Sequence, residues 1–534
     1  MAGVFSTLLL SGMLLCGVLL HIVSHHAGTS TKKPNFIIIL ADDIGWGDLD
    51  VNLPEERANN NTPHLNLMAQ QGMRFTDFHS AASTCSPSRA ALLTGRYGLR
   101  NGVTHNFAVD SVAGLPLSEV TLPQLLQKAG YYTAMIGKWH LGHTGPYSPT
   151  NRGFDYYLGI PYSNDMGCTD RPGFNLPECL PCNSPGPQVI RLQRDVHGGC
   201  YSKVGLPLIE NSSIVAQPLD LWTLTERYKS AALRIIHNAR DQGQPYLLYI
   251  ALAHMHVPLS PLVAPDTPST SQNTDDGRVY AATLQEMDSL VGAVKSASDS
   301  DTLIWFTGDN GPWEQKCQFA GSVGPFQGKW QISRGGGSAK RTTWEGGHRV
   351  PTLAYWPGRI PANTTSTALL SGMDILPTLL SLAGVTPPSD RRYDGIDATD
   401  ILLHGEQTGH EFLFHPNSGA AGKFGDLQTV RNGKYKAFYM TGAAEACGGA
   451  TGSQQLHDPP LIFDLERDEA EERPLDFEKP EYKAVADRIA RRREELLWDI
   501  ATDTSVSTAD YTTDKSAAPC CDPTQAVCRC HLLR

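Results

Sequence analysis

Three short apolar runs along the chain end abruptly in polar residues. Asn35 to Ala41 closes on Asp42-Asp43, Tyr246 to Leu252 closes on His254 and His256, and Thr302 to Phe306 is followed by Asp309-Asn310. Continuous rather than alternating hydrophobicity over so few residues predicts strands buried on both faces. Between these runs, Leu122 to Ala129 and Leu221 to Ala239 carry apolar residues at helical spacing. The alternation predicts an α/β fold: a large, mostly parallel sheet flanked by helices. Such sheets bind ligands beyond the carboxyl ends of their strands, so the polar residues closing each run are expected to meet in one crevice. The stretch 260–278 is rich in Ser, Thr, Pro and Asp, lacks periodicity, and reads as a surface loop.

After about Asp397 the pattern changes to short strand-like runs at Glu411 to Phe414, Thr429 to Arg431, Tyr435 to Met440 and Leu461 to Asp464. One helix is predicted from Pro480 to Ala501, with Val485, Ile489, Leu496 and Ile500 as its buried stripe and Arg491-Arg492-Arg493 on a solvated face. Strands clustered without intervening helices suggest a small antiparallel sheet with a packing helix. The expected division is a signal peptide at 1–27, an α/β domain at 34–400, and a C-terminal subdomain with a cysteine cluster at 401–534.

Composition narrows the setting. Val4 to Val23 is mostly apolar, interrupted by Ser6, Thr7 and Ser11, and is followed by a small, polar stretch, which reads as a cleaved signal rather than an anchor. No other segment reads as a membrane span. Of the 12 cysteines, Cys16 would leave with the signal and Cys85 has a separate role below, so the remainder is an even set suited to disulfides. Cys520, Cys521, Cys528 and Cys530 are alternatively a zinc knot. Sequons at Asn60, Asn211 and Asn363 fit a glycoprotein. A formal charge of −11 argues against nucleic acid or an anionic membrane as the main partner, so an anionic substrate must be held by local cations.

The segment Cys85-Ser86-Pro87-Ser88-Arg89 followed by Leu92-Leu93-Thr94-Gly95 carries the chemistry. Ser86 as N-cap and Pro87 in the first turn predict a helix whose positive end faces Cys85, with Arg89 one turn further. Asp42, Asp43, Asp309 and Asn310 are hard oxygen ligands in adjacent pairs, suited to Ca²⁺ or Mg²⁺ rather than zinc. Lys138 and His140 lie two apart on a segment expected to be extended, so they should share a side. His254 and His256 have the same spacing, and a His-x-His pair could be a zinc site.

Cys-x-Pro-x-Arg followed by Leu-Leu-Thr-Gly resembles the signature of the type I sulfatases, and Gly130 to His140 resembles a second signature of that family. The resemblance implies an alkaline-phosphatase-like fold, one Ca²⁺ held by Asp42, Asp43, Asp309 and Asn310 with residue 85 facing it, and oxidation of Cys85 to formylglycine by a formylglycine-generating enzyme. It implies that the formylglycine hydrate attacks sulfur, that Lys138, Lys340 and Arg89 hold the sulfate, and that Ser163 contacts substrate. Asp309 and His140 would then move protons and His256 would protonate the leaving oxygen. It further implies a lysosomal or secreted enzyme acting on a sulfated glycan, namely glucosamine 3-O-sulfate in heparan sulfate, and on artificial aryl sulfates. Sulfated glycolipid is the alternative substrate, and a metal-dependent phosphatase or phosphodiesterase of the same superfamily the alternative chemistry.

Overall fold

The computed structural model describes residues 32–59, 61–167, 205–259 and 276–520. The signal segment, the Asn60 sequon, Cys521, Cys528 and Cys530, and all but the end of the 260–278 loop lie outside the described residues. Pro34–Arg534 forms one compact unit.

Its centre is a ten-stranded sheet. Four adjacent strands carry the site: β1 (Asn35–Ala41), β2 (Tyr132–Gly137), β3 (Tyr246–Ala251) and β4 (Thr302–Gly308). β1 lies between β4 and β3, β2 follows on the far side of β3, and all three pairings are parallel. Tyr156–Gly159 extends the parallel part, and antiparallel pairings appear only towards the edges. The expected continuous apolar strands are present because both faces are covered. Phe36, Ile38 and Leu40 point into one core, Ile37 and Ile39 into the other, and all five are buried.

Leu221–Thr223 opens as a short 3-10 turn and the α-helix proper runs Leu224–Gln242. The expected loop is cut short by a helix at Asp276–Ala297, whose Tyr280, Leu284, Met287, Val291 and Val294 form a buried stripe at helical spacing.

At the C-terminal end, Phe412–Pro416, Leu427–Asn432, Tyr435–Thr441 and Gln455–Asp464 form an antiparallel meander, and the helix Pro480–Ala501 packs on it. Arg491 is exposed as expected, but Arg492 and Arg493 are half-buried over the rings of Phe414 and Tyr439. A buried ionic cluster joins this meander to the large sheet. Glu345 meets Lys436 at 2.8 Å, Arg349 at 2.7 Å and Arg431 at 3.4 Å, and Asp77 meets the same two arginines at 2.8 and 2.9 Å. Cys317 and Cys447 form a disulfide, Cys520 is disulfide-bonded rather than a free zinc ligand, and Cys85 is the free cysteine among the described residues.

The turn after β1 is fixed by Asp48. Its carboxylate accepts from Gly45 N at 2.6 Å, Ser322 N at 2.7 Å and the Tyr280 hydroxyl at 2.6 Å. Burial nonetheless pushes its carboxyl up to about 6. An acid raised in the folded state stabilises fully below its unfolded value near 4 and loses that contribution as pH rises through about 6, worth about 3 kcal/mol. The melting temperature of the wild type should therefore fall more steeply between pH 4.5 and 7 than that of Asp48→Asn. Parallel melting curves across that range would remove Asp48 from this role.

Candidate active site

The parallel register brings the strand ends together. Beyond the last strand residues the ladder continues through Asp42 N to His254 O at 2.6 Å, Asp309 N to Ala41 O at 2.9 Å and Lys138 N to Ala251 O at 2.7 Å. Asp42-Asp43 and Asp309-Asn310 therefore leave the sheet side by side, as the apolar runs predicted, and Lys138 leaves beside them. Gly137 sits at φ 108°, and a Cβ there would lie 1.9 Å from the Ala251 carbonyl oxygen, so only glycine lets the two strand ends approach this closely.

Cys85 is supplied by the helix Cys85–Thr94, all of which is buried. The helix begins two residues earlier than expected. Thr84 occupies the cap without a side-chain hydrogen bond. The Ser86 hydroxyl donates to His140 O at 2.7 Å, and Ser86 N is met by Asn106 Oδ1 at 2.9 Å. The Cys85 thiol lies 3.6 Å from Asp42 Oδ1, and burial pushes it up to about 12. An unmodified thiol here stays protonated and is a poor nucleophile.

Around it, acids and bases alternate. Arg89 places Nε and Nη2 on Asp309 Oδ2 at 2.9 and 2.8 Å and Nη1 on Lys138 O at 2.7 Å. Lys138 Nζ donates to Asp42 Oδ2 at 2.6 Å and to Ser163 Oγ at 2.5 Å. Lys340 Nζ lies 2.6 Å from Asp43 Oδ1, and His256 Nε2 lies 3.6 Å from Asp43 Oδ2. Burial opposes ionisation of Asp42 and Asp43, but their cationic neighbours together, led by Lys138 at Asp42 and Lys340 at Asp43, outweigh it and hold both below the usual carboxylate range. Asp309 goes the other way, raised by burial and by Asp42.

The Lys138–His140 and His254–His256 pairs behave differently from what their spacing implies. β2 stops at Gly137 and His140 adopts φ 58°, so Lys138 and His140 do not share one extended segment. His140 Nε2 lies 3.1 Å from the Phe107 carbonyl, which can only accept, so Nε2 carries the hydrogen and Nδ1 keeps a buried lone pair without a partner among the described residues. Burial, Lys138 and Arg89 hold this imidazole well below the usual histidine range, and it stays neutral. His254 turns towards the helices, 2.9 Å from Thr225 Oγ1 and 3.8 Å from Glu286, whereas His256 faces the acids. The pair is therefore no joint zinc site. Trp313, absent from the sequence reading, packs 5.3 Å from the His256 ring and 4.6 Å from Lys340 Nζ.

A hard cation fits this donor set. Donor atoms of Asp42, Asp43, Cys85 and His256 lie within 4.8 Å of one another. Asn310 Nδ2 is spent on Asp43 Oδ1 at 2.7 Å and Gly311 O at 2.8 Å, leaving its Oδ1 buried without a partner among the described residues. An orphaned amide oxygen among carboxylates is what Ca²⁺ or Mg²⁺ accepts. Of the sequons, Asn211 and Asn363 are exposed.

A buried nucleophile position ringed by cations and acids at parallel strand ends defines a hydrolase of anionic esters. Residues 34–385 match the sulfatase family model, and residues 408–530 match the model for the C-terminal region of aryl-sulfatase. Arylsulfatase G of Rattus norvegicus is 56% identical over 536 residues, covering 99% of both chains. Arylsulfatase A of Bos taurus is 36% identical over 94% of this chain and 96% of its own. The solved PsFucS1 sulfatase from Pseudoalteromonas sp. superposes with a TM-score of 0.72 at 26% identity, covering 90% of this chain and 92% of that one. The chain belongs to the sulfatase family, and is an enzyme that hydrolyses sulfate esters.

Asp43→Asn removes a charge while keeping a residue that tolerates the φ of 58° at this position. Its bound-metal content after dialysis should drop, turnover should fall by at least about 100-fold, and melting in chelator should fall because Lys340 loses its buried partner. Full metal occupancy in this variant would exclude the assignment.

Proposed function

We propose that Cys85 is converted to formylglycine by a formylglycine-generating enzyme and that the mature enzyme removes the 3-O-sulfate of glucosamine units in heparan sulfate. The observation that carries this reading is the free, buried Cys85 at a helix start within a ring of Arg89, Lys138, Lys340, Asp42 and Asp309. The arylsulfatase G likeness supports a sulfate ester as substrate. The disulfide at Cys317–Cys447 and exposed sequons at Asn211 and Asn363 support a glycoprotein of the secretory route, with the lysosome as destination and secretion as the alternative.

Formylglycine would supply a carbonyl hydrate, one hydroxyl of which attacks sulfur while the other lets the aldehyde reform as sulfate leaves. Asp42, Asp43, Asp309 and Asn310 would hold Ca²⁺, or Mg²⁺, which acidifies a hydroxyl and offsets sulfate charge. The side chains perform the rest. Lys138, Lys340 and Arg89 neutralise the sulfuryl oxygens in a site shielded from water, where each cation counts for more than at a surface. Asp309, raised by burial, takes the proton of the attacking hydroxyl. His256 Nδ1 is held by the Val257 carbonyl at 2.6 Å, leaving Nε2 to protonate the departing sugar oxygen. The free Nδ1 lone pair of His140 accepts the proton of the second hydroxyl during release. Ser163, held by Lys138, is placed to meet substrate.

Peptide mass spectrometry of active protein should find an aldehyde at position 85, and fully active protein bearing only cysteine there would end this mechanism. Release of sulfate from defined 3-O-, 6-O- and N-sulfated oligosaccharides should favour the 3-O isomer.

His256→Ala should lower kcat by about 100-fold or more on sugar sulfates and by much less on aryl sulfates, whose leaving group needs little protonation. Equal losses on both would take the general-acid role from His256.

A further inference from the structure

We propose that Lys316, with Trp313 beneath it and Arg341 beside it, forms a second anion subsite that takes a carboxylate or second sulfate on the sugar adjoining the one that is desulfated. This rests on the sulfated-glycan reading of the Cys85 crevice.

Lysines are almost never buried unless paired. Lys316 is only 7% exposed, yet among the described residues no carboxylate lies within ion-pair distance of it. Its ammonium instead sits 4.3 Å from the centre of the Trp313 ring. Burial lowers its pKa, and Asp165, the acid that pulls on it most, is too distant to cancel the effect. A cation so placed gains more from an incoming anion than a solvated surface lysine does.

The position is tied to the reaction centre through one indole. Lys340 Nζ is 4.6 Å and the Arg341 guanidinium 5.3 Å from the same ring centre, and His256 packs 5.3 Å away. Lys340 is committed to Asp43, whereas Lys316 is uncommitted. The segment is also held before any ligand arrives. Trp313 Nε1 donates to Gln315 Oε1 at 2.9 Å, Lys316 N to Trp313 O at 2.8 Å, and Ser338 N to Glu314 Oε2 at 2.8 Å. The Cys317–Cys447 disulfide pins the next residue. An anion therefore meets a preorganised cation and bears little ordering cost. On a chain of net charge −11, such local cations are what draws a polyanionic glycan to one mouth.

The test compares wild type, K316Q and K316R on four substrates: an aryl sulfate with no second charge, a disaccharide with the scissile sulfate beside a hexuronate, its carboxyl-reduced counterpart, and that counterpart bearing a second sulfate. K316Q should raise KM about tenfold or more on the substrates with a second anion, keep kcat within about twofold, and leave the aryl sulfate within about twofold. K316R should recover most of the loss. Sensitivity confined to the hexuronate substrate identifies the carboxylate as occupant, and sensitivity confined to the disulfated one identifies sulfate. Equal effects of K316Q on all four substrates, or none, would overturn the subsite while leaving the sulfatase reading intact. Wild type that cleaved the aryl sulfate but no disaccharide would overturn the sulfated-glycan reading and the subsite with it.

Discussion

Three carboxylates buried at adjoining strand ends are tolerable only because three cations are buried with them. Asp42, Asp43 and Asp309 would each cost several kcal/mol if left alone in this interior. Lys138, Lys340 and Arg89 offset that cost, and they arrive from three separate parts of the chain. The balance is incomplete in a useful way. Asp309 is still held above the ordinary carboxylate range, and Asn310 Oδ1 still lacks a partner, so the site retains demand for a further positive centre. The same cations that make the acids bearable would also make the crevice attractive to the negative charge of a sulfate ester. Folding stability and substrate recognition therefore draw on one set of charges.

Much of the architecture was legible because burial on both faces leaves an unmistakable trace. β1, β3 and β4 had to be apolar throughout, and the polar pairs after them had to emerge together once the strands were parallel. The helix Pro480–Ala501 was equally plain from its apolar stripe. The helix Asp276–Ala297 was obscured because its start follows a Ser, Thr and Asp-rich stretch, although Tyr280, Leu284, Met287, Val291 and Val294 carried the signal.

Within the site, residue types were readable and directions were not. His254 and His256 differ only in which long-range neighbours receive them: Thr225 and Glu286 for one, Asp43 and Trp313 for the other. The extended segment inferred for Lys138 and His140 failed because Gly137 and His140 both take positive φ. Trp313 and Lys316 belong to no motif. They gain meaning only when the chain brings His256 and Lys340 to the same indole, and the disulfide to Cys447 is a contact between residues 130 apart.

The burial of Cys85 imposes an order of events on the life of the chain. Every residue from Cys85 to Thr94 is enclosed, and the helix is covered in part by the C-terminal meander, whose Phe414, Leu427 and Val430 share a core with Ala91. That meander lies more than three hundred residues downstream, so it is synthesised long after Cys85 has emerged. On the proposed formylglycine route, a modifying enzyme would have to reach the thiol within that interval. Maturation would then be a race between an enzyme's encounter with a nascent segment and the chain's own closure, and each molecule that closed first would be left well folded and without its nucleophile.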